Sequence, residues 1–268
     1  MNKQANQGRA LITGASTGIG ATYADRLAAR GYDLVLVARD AARLEKVAQE
    51  IKARHGVQVE ILPADLINKD ELLRVEQRLR SDDGITMLVN NAGMAVQGKL
   101  IEADIDRYDT MIQLNVVAVT RLAAAAATTF GKRGSGDIIN VASVLALAPE
   151  MFNGVYSGTK AYVLNLSQSM QTELAPLGVR VQAVLPGATR TEIWERSGGS
   201  ISQLPPEMLM EVDAMVDAAL AGLDLGEAVT IPSLPQAADW NAFTAARHAL
   251  GPNLSRNQPA QRYLAHAG

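Results

Sequence analysis

The feature that most constrains the fold is the alternation of short apolar runs with longer segments of helical character. The apolar runs are Arg9–Thr13, Asp33–Ala38, Gln58–Pro63, Met87–Asn90, Asp137–Ala142 and Val179–Leu185. The helical segments between them are Gly18–Arg30, Ala41–Arg54, Lys69–Ser81, Asp104–Phe130 and Val155–Leu177. Because the runs are apolar almost throughout, rather than at every second residue, they are typical of strands buried on both faces. The alternation predicts an α/β fold in three α/β/α layers, a doubly wound parallel sheet with helices on both faces.

The chain has no obvious internal boundary. Its 268 residues contain no internal repeat, low-complexity tract or long linker, and we therefore expect a single domain over residues 1–268. The segment Arg190–Pro206 is rich in Ser, Gly and Pro, and a loop of this length inside a compact domain is either disordered or functional. We expect residues 190–226 to form a substrate loop or lid.

The end of the chain has a different pattern. We expect a helix over Glu207–Leu223, a short strand over Ala228–Pro232 and a last helix over Ala237–Leu250. Residues 236–268 then form a C-terminal extension without a recognisable motif. Its Trp240 and Phe243 either cover a subunit interface or finish the core, and we favour the interface.

The composition excludes several kinds of chemistry. The sequence has no cysteine, which excludes disulfides, thiolate metal sites and thiol nucleophiles. The histidines, His55, His248 and His266, are too scattered to form a ligand pair, and we expect no metal site. A net charge of −3 argues against a nucleic-acid partner, which would call for an excess of basic residues.

Two segments bear on the location of the protein. Met1–Gly8 is polar and lacks the apolar region of a signal peptide. The most apolar stretch, Val116–Phe130, contains Arg121 and is too short to span a bilayer. We therefore expect a cytoplasmic protein that has no membrane partner.

A glycine-rich turn follows the first predicted strand directly. It contains Gly14, Gly18 and Gly20, together with Ser16, Thr17 and Ile19. Missing side chains let backbone N–H groups approach a pyrophosphate, and the helix that follows presents the positive end of its dipole. A tight structural turn is the alternative reading. The place of the turn between a strand and a helix favours a dinucleotide site in a Rossmann-like fold.

The second predicted strand ends at Arg39 and Asp40. In such a fold the residue after this strand faces the adenosine ribose, where a carboxylate binds the 2′-hydroxyl and an arginine accommodates a 2′-phosphate. Arg39 therefore favours NADP(H), with NAD(H) as the alternative, because a guanidinium pairs well with phosphate. Arg39 could also be an ordinary surface residue, and Asp40 could cap the next helix or bind a ribose hydroxyl.

Further motifs, in the same order, resemble the short-chain dehydrogenase/reductase family over nearly the whole chain up to Pro186-Gly187. The matching residues are Asp65-Leu66, Asn90-Asn91-Ala92-Gly93, Asn115, Ser143, Tyr156 and Lys160 in a Y-x-x-x-K pattern, and Pro186-Gly187 with Thr189 and Thr191. The resemblance implies that Asp65 and Leu66 bind the adenine side of a nicotinamide cofactor. It implies that Asn91, Ala92, Gly93 and the segment from Pro186 to Thr191 bind its nicotinamide side.

The same resemblance implies a catalytic set of Asn115, Ser143, Tyr156 and Lys160, of which Tyr156 and Lys160 also contact the cofactor. Tyr156 and Lys160 are four residues apart and so share a helix face. A tyrosine hydroxyl titrates near pH ~10, and we expect the lysine ammonium to lower its pKa toward neutrality. Ser143 lies at a strand end, where its hydroxyl could hydrogen-bond a substrate carbonyl.

Asn115 lies in an apolar helical stretch and therefore needs partners for its amide. The resemblance implies that it bends the helix around a water that links Lys160 to solvent, and the alternative is a buried structural amide. The chain departs from the family pattern at Gly158-Thr159, where Ala-Ser is more usual. This departure should loosen the helix slightly but removes no catalytic atom.

The residues that we expect around the substrate are apolar. They are Met94, Leu145, Leu147, Met151, Phe152 and Trp194, with Met208, Leu209 and Met210 in the lid. Methionine fills irregular space, which favours a hydrophobic carbonyl compound, although several of these side chains could merely pack under the lid.

The sequence thus predicts an NADP(H)-dependent oxidoreductase that reduces a carbonyl or oxidises an alcohol on a small hydrophobic substrate, with Tyr156 as the general acid and base. Two alternatives stay open. One is a non-catalytic protein that senses a nicotinamide nucleotide, since fold alone does not determine function. The other is a lyase or epimerase that uses the cofactor transiently. By resemblance, we expect a homo-oligomer, a tetramer or a dimer.

Overall fold

The computed structural model describes residues 7–102 and 104–264. His266 and most of Met1–Gly8, on which the expectation about a signal peptide depends, lie outside these residues. The strands are β1 (Arg9–Thr13), β2 (Asp33–Ala38), β3 (Val59–Pro63), β4 (Ile85–Asn90), β5 (Gly136–Val141), β6 (Val179–Val184) and β7 (Val229–Thr230). All of their pairings are parallel, and the sheet order is β3-β2-β1-β4-β5-β6-β7. The predicted doubly wound sheet is confirmed.

Helices cover both faces of the sheet. They are α1 (Gly18–Ala29), α2 (Ala41–His55), α3 (Lys69–Ser81), α4 (Ile105–Ile112), α5 (Val119–Arg133), α6 (Gly154–Leu174), α7 (Ile193–Arg196) and α8 (Val212–Asp224). Successive strand residues point to opposite faces. Ile12 of β1 therefore packs with α1, α2 and α8, whereas the neighbouring Leu11 packs with α3, α5 and α6. This two-sided burial explains why the strands are apolar at nearly every position.

The strand order reverses between β1 and β4. In an open parallel sheet the loops that leave two such strands diverge to opposite faces, which leaves a crevice at the carboxyl ends of the strands. Gly14 follows β1 and Asn91 follows β4, so both motifs from the sequence lie at this crevice. The topology therefore positions the candidate site.

The long predicted helix over Asp104–Phe130 is interrupted in the structure. Asp104 caps α4, and a π-helical segment, Gln113–Ala118, separates α4 from α5. A wide turn of this kind inserts a residue into the helix and is common at functional sites. Asn115 lies inside it and turns its amide toward the chain after β4.

Two other predicted helices have different ends for reasons of backbone chemistry. Helix α6 ends at Leu174 rather than Leu177, and a 3₁₀ turn follows, because Pro176 cannot donate the next helical hydrogen bond. Helix α8 starts at Val212 rather than Glu207. Before it, Met210 pairs with the backbone of Ala188 and Arg190, which holds this stretch extended.

The predicted substrate segment, residues 190–226, contains two kinds of structure. Its first part holds α7 and two short 3₁₀ turns, and its second part is α8. Met215, Val216 and Leu220 of α8 are buried in the core, so this helix belongs to the body of the fold. The part before Val212 stays the candidate substrate loop. Strand β7 has only two residues of the predicted stretch up to Pro232, since proline cannot donate to a ladder.

Contacts divide the chain into a compact unit that ends at Pro232 and a second unit that begins at Ser233. The described part of the second unit contains α9 (Ala237–Ala249) and α10 (Gln261–Leu264). Trp240 and Phe243 stack on each other in α9, with ring centroids 5.4 Å apart. A single domain over residues 1–268 and a subunit interface at these rings both stay predictions.

The helical run Ile105–Arg133 is long and apolar enough to cross a membrane by length and composition. It is longer than the apolar stretch considered from the sequence. Of its most apolar window, 44% is buried inside the protein, where Leu122 and Phe130 pack under the sheet. Core helices pass the same test, so the run is weak evidence for a membrane segment.

Buried amides join the centre of the sheet to α6. Asn90 Nδ2 donates to Asn140 Oδ1 at 2.9 Å, and Asn140 Nδ2 donates to Ser167 Oγ at 3.0 Å. Ser167 in turn donates to the carbonyl of Val163, one turn earlier in α6. All three linked side chains are at most 2% exposed. Buried polar groups are costly without partners, so this chain fixes α6 against β4 and β5.

We predict that Asn140→Ala lowers the free energy of unfolding by about 1–3 kcal/mol, because it leaves the amide of Asn90 and the hydroxyl of Ser167 without their partner. Urea unfolding followed by circular dichroism measures the change. The control is Asn165→Ala, an exposed asparagine on α6, the helix that carries Ser167. Equal stability of the two variants would show that the buried chain does not stabilise the sheet.

Candidate active site

The Y-x-x-x-K pair lies on the inner face of α6. Tyr156 is 9% exposed and Lys160 is 6% exposed, so both side chains are nearly enclosed. Lys160 Nζ donates to the carbonyl of Val141, the last residue of β5, at 3.0 Å. Ser143 follows β5 and lies close enough to the Tyr156 hydroxyl to lower the pKa of Tyr156. The structure thus brings together Ser143, Tyr156 and Lys160 at the carboxyl edge of the sheet.

Burial decides the protonation of both groups on α6. It raises the pKa of Tyr156 to about 12, although the nearby Ser143 hydroxyl acts in the opposite direction. It also lowers the pKa of Lys160 to about 8. The direction for Tyr156 is opposite to the one expected from the sequence. Lys160 Nζ lies 5.8 Å from the centre of the tyrosine ring, and desolvation of the hydroxyl dominates.

Asn115 has partners for its whole side chain. Its Oδ1 accepts from the backbone N–H of Met94 at 2.9 Å, and its Nδ2 donates to the carbonyl of Met94 at 2.9 Å. The same Nδ2 donates to the Thr159 hydroxyl at 3.1 Å. Asn115 therefore ties the chain after β4 to α6 as a buried structural amide, and a role in a proton relay stays a prediction.

Of the two residues that depart from the family pattern, only Thr159 makes side-chain contacts in the site. Thr159 is 4% exposed, and its hydroxyl donates to the carbonyl of Tyr156 while it accepts from Asn115. A Cβ at Gly158 would meet no atom within 4 Å, so the site does not require glycine there. Thr159 is thus a positioning residue, a role that the sequence analysis did not assign to it.

The glycine-rich turn packs closely against the end of β4. Gly14 has a φ of +66°, and a Cβ there would lie 2.8 Å from Asn91 Nδ2 and 3.0 Å from Ala92 Cα. A Cβ at Gly20 would overlap the carbonyl oxygen of Gly14. Glycine is therefore required at both positions. Thr13 Oγ1 accepts from the backbone N–H groups of Asn91 and Ala92, each at 3.0 Å, which fixes the two strand ends together.

The start of α1 fits a phosphate group. Gly18 has a φ of +53°, and Thr17 takes the N-cap position without a hydrogen bond from its side chain. The first N–H groups of the helix therefore have no side-chain acceptor at that cap, which leaves them for an anion. Ser16 lies half-buried in the same turn, and Ile19 packs its side chain against the core.

The adenine side of the crevice carries charged residues. Arg39 is largely exposed after β2, and its Nη1 lies 3.9 Å from Asp65 Oδ2. Asp65 also accepts from the N–H of Ile67, while the side chain of Leu66 is buried in the core. Asp40 Oδ1 accepts from the N–H of Arg43 and caps α2, so the structure shows the capping role, and a contact with a ribose hydroxyl stays a prediction.

The segment after β6 closes the other side. The carbonyl of Pro186 accepts from Val144 N–H at 3.0 Å, and the Gly187 carbonyl accepts from the hydroxyl of Thr189 at 3.1 Å. Thr191 Cγ2 lies 3.4 Å from the place of a Cβ at Gly18, so this segment runs beside the start of α1.

An ion pair then connects this segment to α2. Arg43 Nη1 contacts Glu192 Oε2 at 2.8 Å, and Arg196 contacts the same oxygen at 2.5 Å. The hydrogen bond from Arg43 and the charge of Arg196 hold the pKa of Glu192 below its usual range.

Only part of the predicted apolar lining surrounds Tyr156. Met94, Leu145 and Phe152 pack against the buried cluster that contains Tyr156, and the ring of Phe152 meets that of Tyr156 edge-on with centroids 5.6 Å apart. The same cluster contains three buried side chains that were not predicted to lie near Tyr156, namely Val96, Tyr108 and Met111.

The remaining predicted substrate residues are not part of the cluster that contains Tyr156, and their contact with a substrate stays a prediction. Met151 is 64% exposed, and Leu147 and Met208 are also exposed. Trp194 donates its indole N–H to the carbonyl of Thr189 at 2.8 Å. Met210 packs against the main core beside α1, α2 and α8, which favours the alternative that it packs under the lid, and a substrate contact stays a prediction.

Gly93 joins the catalytic and cofactor sides of the site. A Cβ there would lie 3.2 Å from Asn115 Oδ1 and 3.5 Å from Lys160 Nζ.

The sequence analysis found Gly93 but missed Asn153, which caps α6 and is the last residue before this helix. An asparagine immediately before a helical segment is a recognised cap signal, and that signal could have found it.

Comparisons with known proteins agree with this geometry. A family model described as short chain dehydrogenase matches residues 9–200. An uncharacterised oxidoreductase of Staphylococcus saprophyticus is 33% identical over 204 residues, which cover 75% of this chain and 87% of that protein.

Solved structures cover more of the chain. A short-chain dehydrogenase from Sphingobium yanoikuyae, in complex with NADPH, is 51% identical with a TM-score of 0.92, covering 96% of this chain and 100% of that one. A bulky-bulky ketone specific alcohol dehydrogenase from Comamonas testosteroni is 45% identical with a TM-score of 0.89, covering 97% and 100%. The glycine turn, the site on α6 and these matches together identify the chain as a member of the short-chain dehydrogenase/reductase family.

Proposed function

We propose that this protein is an NADP(H)-dependent carbonyl reductase and alcohol dehydrogenase that acts on hydrophobic ketones. One observation carries the proposal: Ser143, Tyr156 and Lys160 meet in a nearly enclosed site next to a glycine turn that is open to a phosphate. The relative from Sphingobium yanoikuyae that was solved with NADPH supports the choice of cofactor.

The residues around the crevice fit such a cofactor. The N–H groups at the start of α1 would hold its diphosphate, and Arg39 would pair with a 2′-phosphate. Lys160 uses one donor on Val141, which leaves its other N–H bonds for the hydroxyls of the nicotinamide ribose. The backbone of Gly93 and the segment after Pro186 would border the nicotinamide. When bound, the cofactor supplies the hydride.

The side chains of the site supply the proton and the orientation. With a pKa of about 12, the Tyr156 hydroxyl is protonated at neutral pH and can donate its proton to a carbonyl oxygen. Ser143 would hydrogen-bond the same oxygen and stabilise negative charge as it develops. The charged form of Lys160 favours the tyrosinate that the proton transfer leaves behind.

The surroundings of Tyr156 favour an apolar substrate. Met94, Leu145 and Phe152 are only partly buried against the cluster that contains Tyr156, so they keep exposed apolar surface next to this cluster. An apolar substituent gains from burial against such side chains, whereas a charged one would lose hydration. The ketone specificity of the relative from Comamonas testosteroni supports this substrate class.

We predict that Tyr156→Phe lowers kcat for ketone reduction by about 10²–10⁴-fold, because the proton donor is lost while the aromatic packing stays. The measurement is NADPH oxidation with a panel of hydrophobic ketones. NADPH affinity, measured by the fluorescence of the bound nucleotide, should stay nearly unchanged. Wild-type turnover in the variant would exclude this mechanism.

A second prediction concerns pH. Since the pKa of Lys160 lies at about 8, the ammonium is present below that pH and is lost above it. We expect kcat/KM for ketone reduction to be level below pH 8 and to fall as the pH rises through that value. The arginine of Lys160→Arg stays charged over this range, so the kcat/KM of this variant should not decrease above pH 8. The same fall in both proteins would assign the titration to another group.

A third prediction concerns the cofactor. Arg39→Gln should weaken NADPH binding by about 10–100-fold, the range expected for hydrogen bonds to a charged group, and should leave NADH binding unchanged. Fluorescence titration with both nucleotides measures the two affinities. The matched control is Arg74→Gln, which changes an exposed arginine on a different element, helix α3. Equal losses for NADPH and NADH would contradict a 2′-phosphate contact.

A further inference from the structure

Asn153 makes two sets of hydrogen bonds with the two ends of one amide. Its Oδ1 accepts from the N–H of Val155 at 2.9 Å and from the N–H of Tyr156 at 3.2 Å, which caps α6. Its Nδ2 donates to the carbonyl of Gly98 at 3.0 Å and to the hydroxyl of Tyr108. One side chain therefore contacts the backbone of Tyr156 and the chain after β4 at once.

The contact at Gly98 joins three elements of the fold. Tyr108 of α4 is 1% exposed, and its hydroxyl lies 3.5 Å from the same Gly98 carbonyl. The ring of Tyr108 belongs to the apolar cluster that contains Tyr156. The carbonyl of Gly98 is thus held from both α4 and the start of α6.

Residues 97–100, which we call the pocket wall, face the start of α6 across a surface pocket of about 400 Å³. The lining residues are Gln97, Gly98, Lys99, Leu100, Phe152, Asn153 and Gly154. Phe152 also touches the ring of Tyr156, so the pocket lies directly beside the candidate site. The hydrogen bond between Asn153 and Gly98 fixes the distance between the two sides of this pocket.

The pocket wall has a second attachment on the side of the substrate loop. Gln97 N–H donates to the carbonyl of Ser197 at 3.3 Å. A Cβ at Gly199 would lie 2.6 Å from Gln97 Nε2, so the loop passes close to this side chain. The wall therefore bridges the substrate loop and the helix that carries Tyr156.

Gly98 has the backbone freedom that such a wall needs. Its φ is +110°, a conformation that other residues rarely adopt, and a Cβ there would meet no atom within 4 Å. Glycine is thus needed for the backbone angle rather than for space. The unusual angle presents the Gly98 carbonyl to Asn153.

We propose that Asn153 is a positioning residue that sets the width of the substrate pocket relative to Tyr156 and thereby determines the size of ketone that the site accepts. This inference rests on the proposed function. A small ketone needs the wall held close to Tyr156, whereas a bulky one gains little from that restraint. Asn153 would act through the position of the wall and would not touch the reacting atoms.

The test separates the two ends of the amide. Serine is also a good N-cap but is too short to reach Gly98, so Asn153→Ser keeps the cap and removes the bond to the wall. Asn153→Ser removes both hydrogen bonds of the amide nitrogen, to Gly98 and to Tyr108. We expect KM for a small ketone to rise about three- to ten-fold, with kcat nearly unchanged and KM for a bulky ketone less affected. Tyr108→Phe removes the hydroxyl beside the same carbonyl and should change KM in the same direction.

Two controls distinguish the wall from the cap. Asn153→Ala loses both ends and should lower kcat as well, since Tyr156 then lacks its capped backbone. Asn165→Ser, at the exposed asparagine of α6, should match the wild type. An equal KM for Asn153→Ser and the wild type with small and bulky ketones would overturn the proposal.

A readout without substrate keeps this test independent of the proposed function. Lys99 lies in the pocket wall, so limited digestion with trypsin at Lys99 reports how firmly the wall is held. We expect faster cleavage in Asn153→Ser than in Asn165→Ser or the wild type. Unchanged cleavage would overturn the role of Asn153. Absence of ketone turnover in the wild type, with cleavage still faster in Asn153→Ser, would instead overturn the proposed function alone.

Discussion

The join between the ends of β1 and β4 is the contact on which the candidate site depends. Thr13 Oγ1 accepts from the backbone of Asn91 and Ala92, and Asn91 Nδ2 donates back to the Thr13 carbonyl at 2.9 Å. Gly14 and Gly20 permit this approach because any side chain at either position would collide with it. The join sets the crevice at the reversal of the sheet, and the chain that leaves Asn91 then supplies Gly93, the contacts of Asn115 and the pocket wall.

On the other side of that crevice, burial sets the pKa values of Tyr156 and Lys160. The enclosure of α6 disfavours charge on both of its functional groups, which keeps the proton on Tyr156 and brings the titration of Lys160 close to neutral pH. A surface pair at the same helical spacing would have neither property. The Y-x-x-x-K pattern alone therefore says little, and its value comes from the sheet edge against which the helix packs.

Local patterns predicted the sheet, the glycine turn and the catalytic helix, because apolar runs and glycines act over a few residues. Features that depend on distant partners escaped. The family resemblance implied a bend at Asn115, but not its contacts with Met94, 21 residues earlier in the chain. The burial of Tyr108 in the cluster of Tyr156 depends on the packing of α4. The pKa of Tyr156 was expected to fall because spacing shows a nearby ammonium but does not show how completely a helix encloses a hydroxyl. Asn153 carried a readable cap signal, whereas its bond to Gly98 depends on a loop 55 residues away in sequence.

The two sides of the crevice are fastened by interactions of different physical character. The join at Thr13 is shielded from water, whereas Arg43 and Glu192 connect α2 to the segment beside Gly18 at the surface, each with 47% of its side chain exposed. Dissolved ions screen exposed charges over a distance of about 8 Å at physiological ionic strength but weaken shielded hydrogen bonds far less. The hydrogen bonds of Thr13 at the base of the crevice should therefore change little with salt concentration. The exposed ion pair between Arg43 and Glu192 weakens as the ionic strength rises.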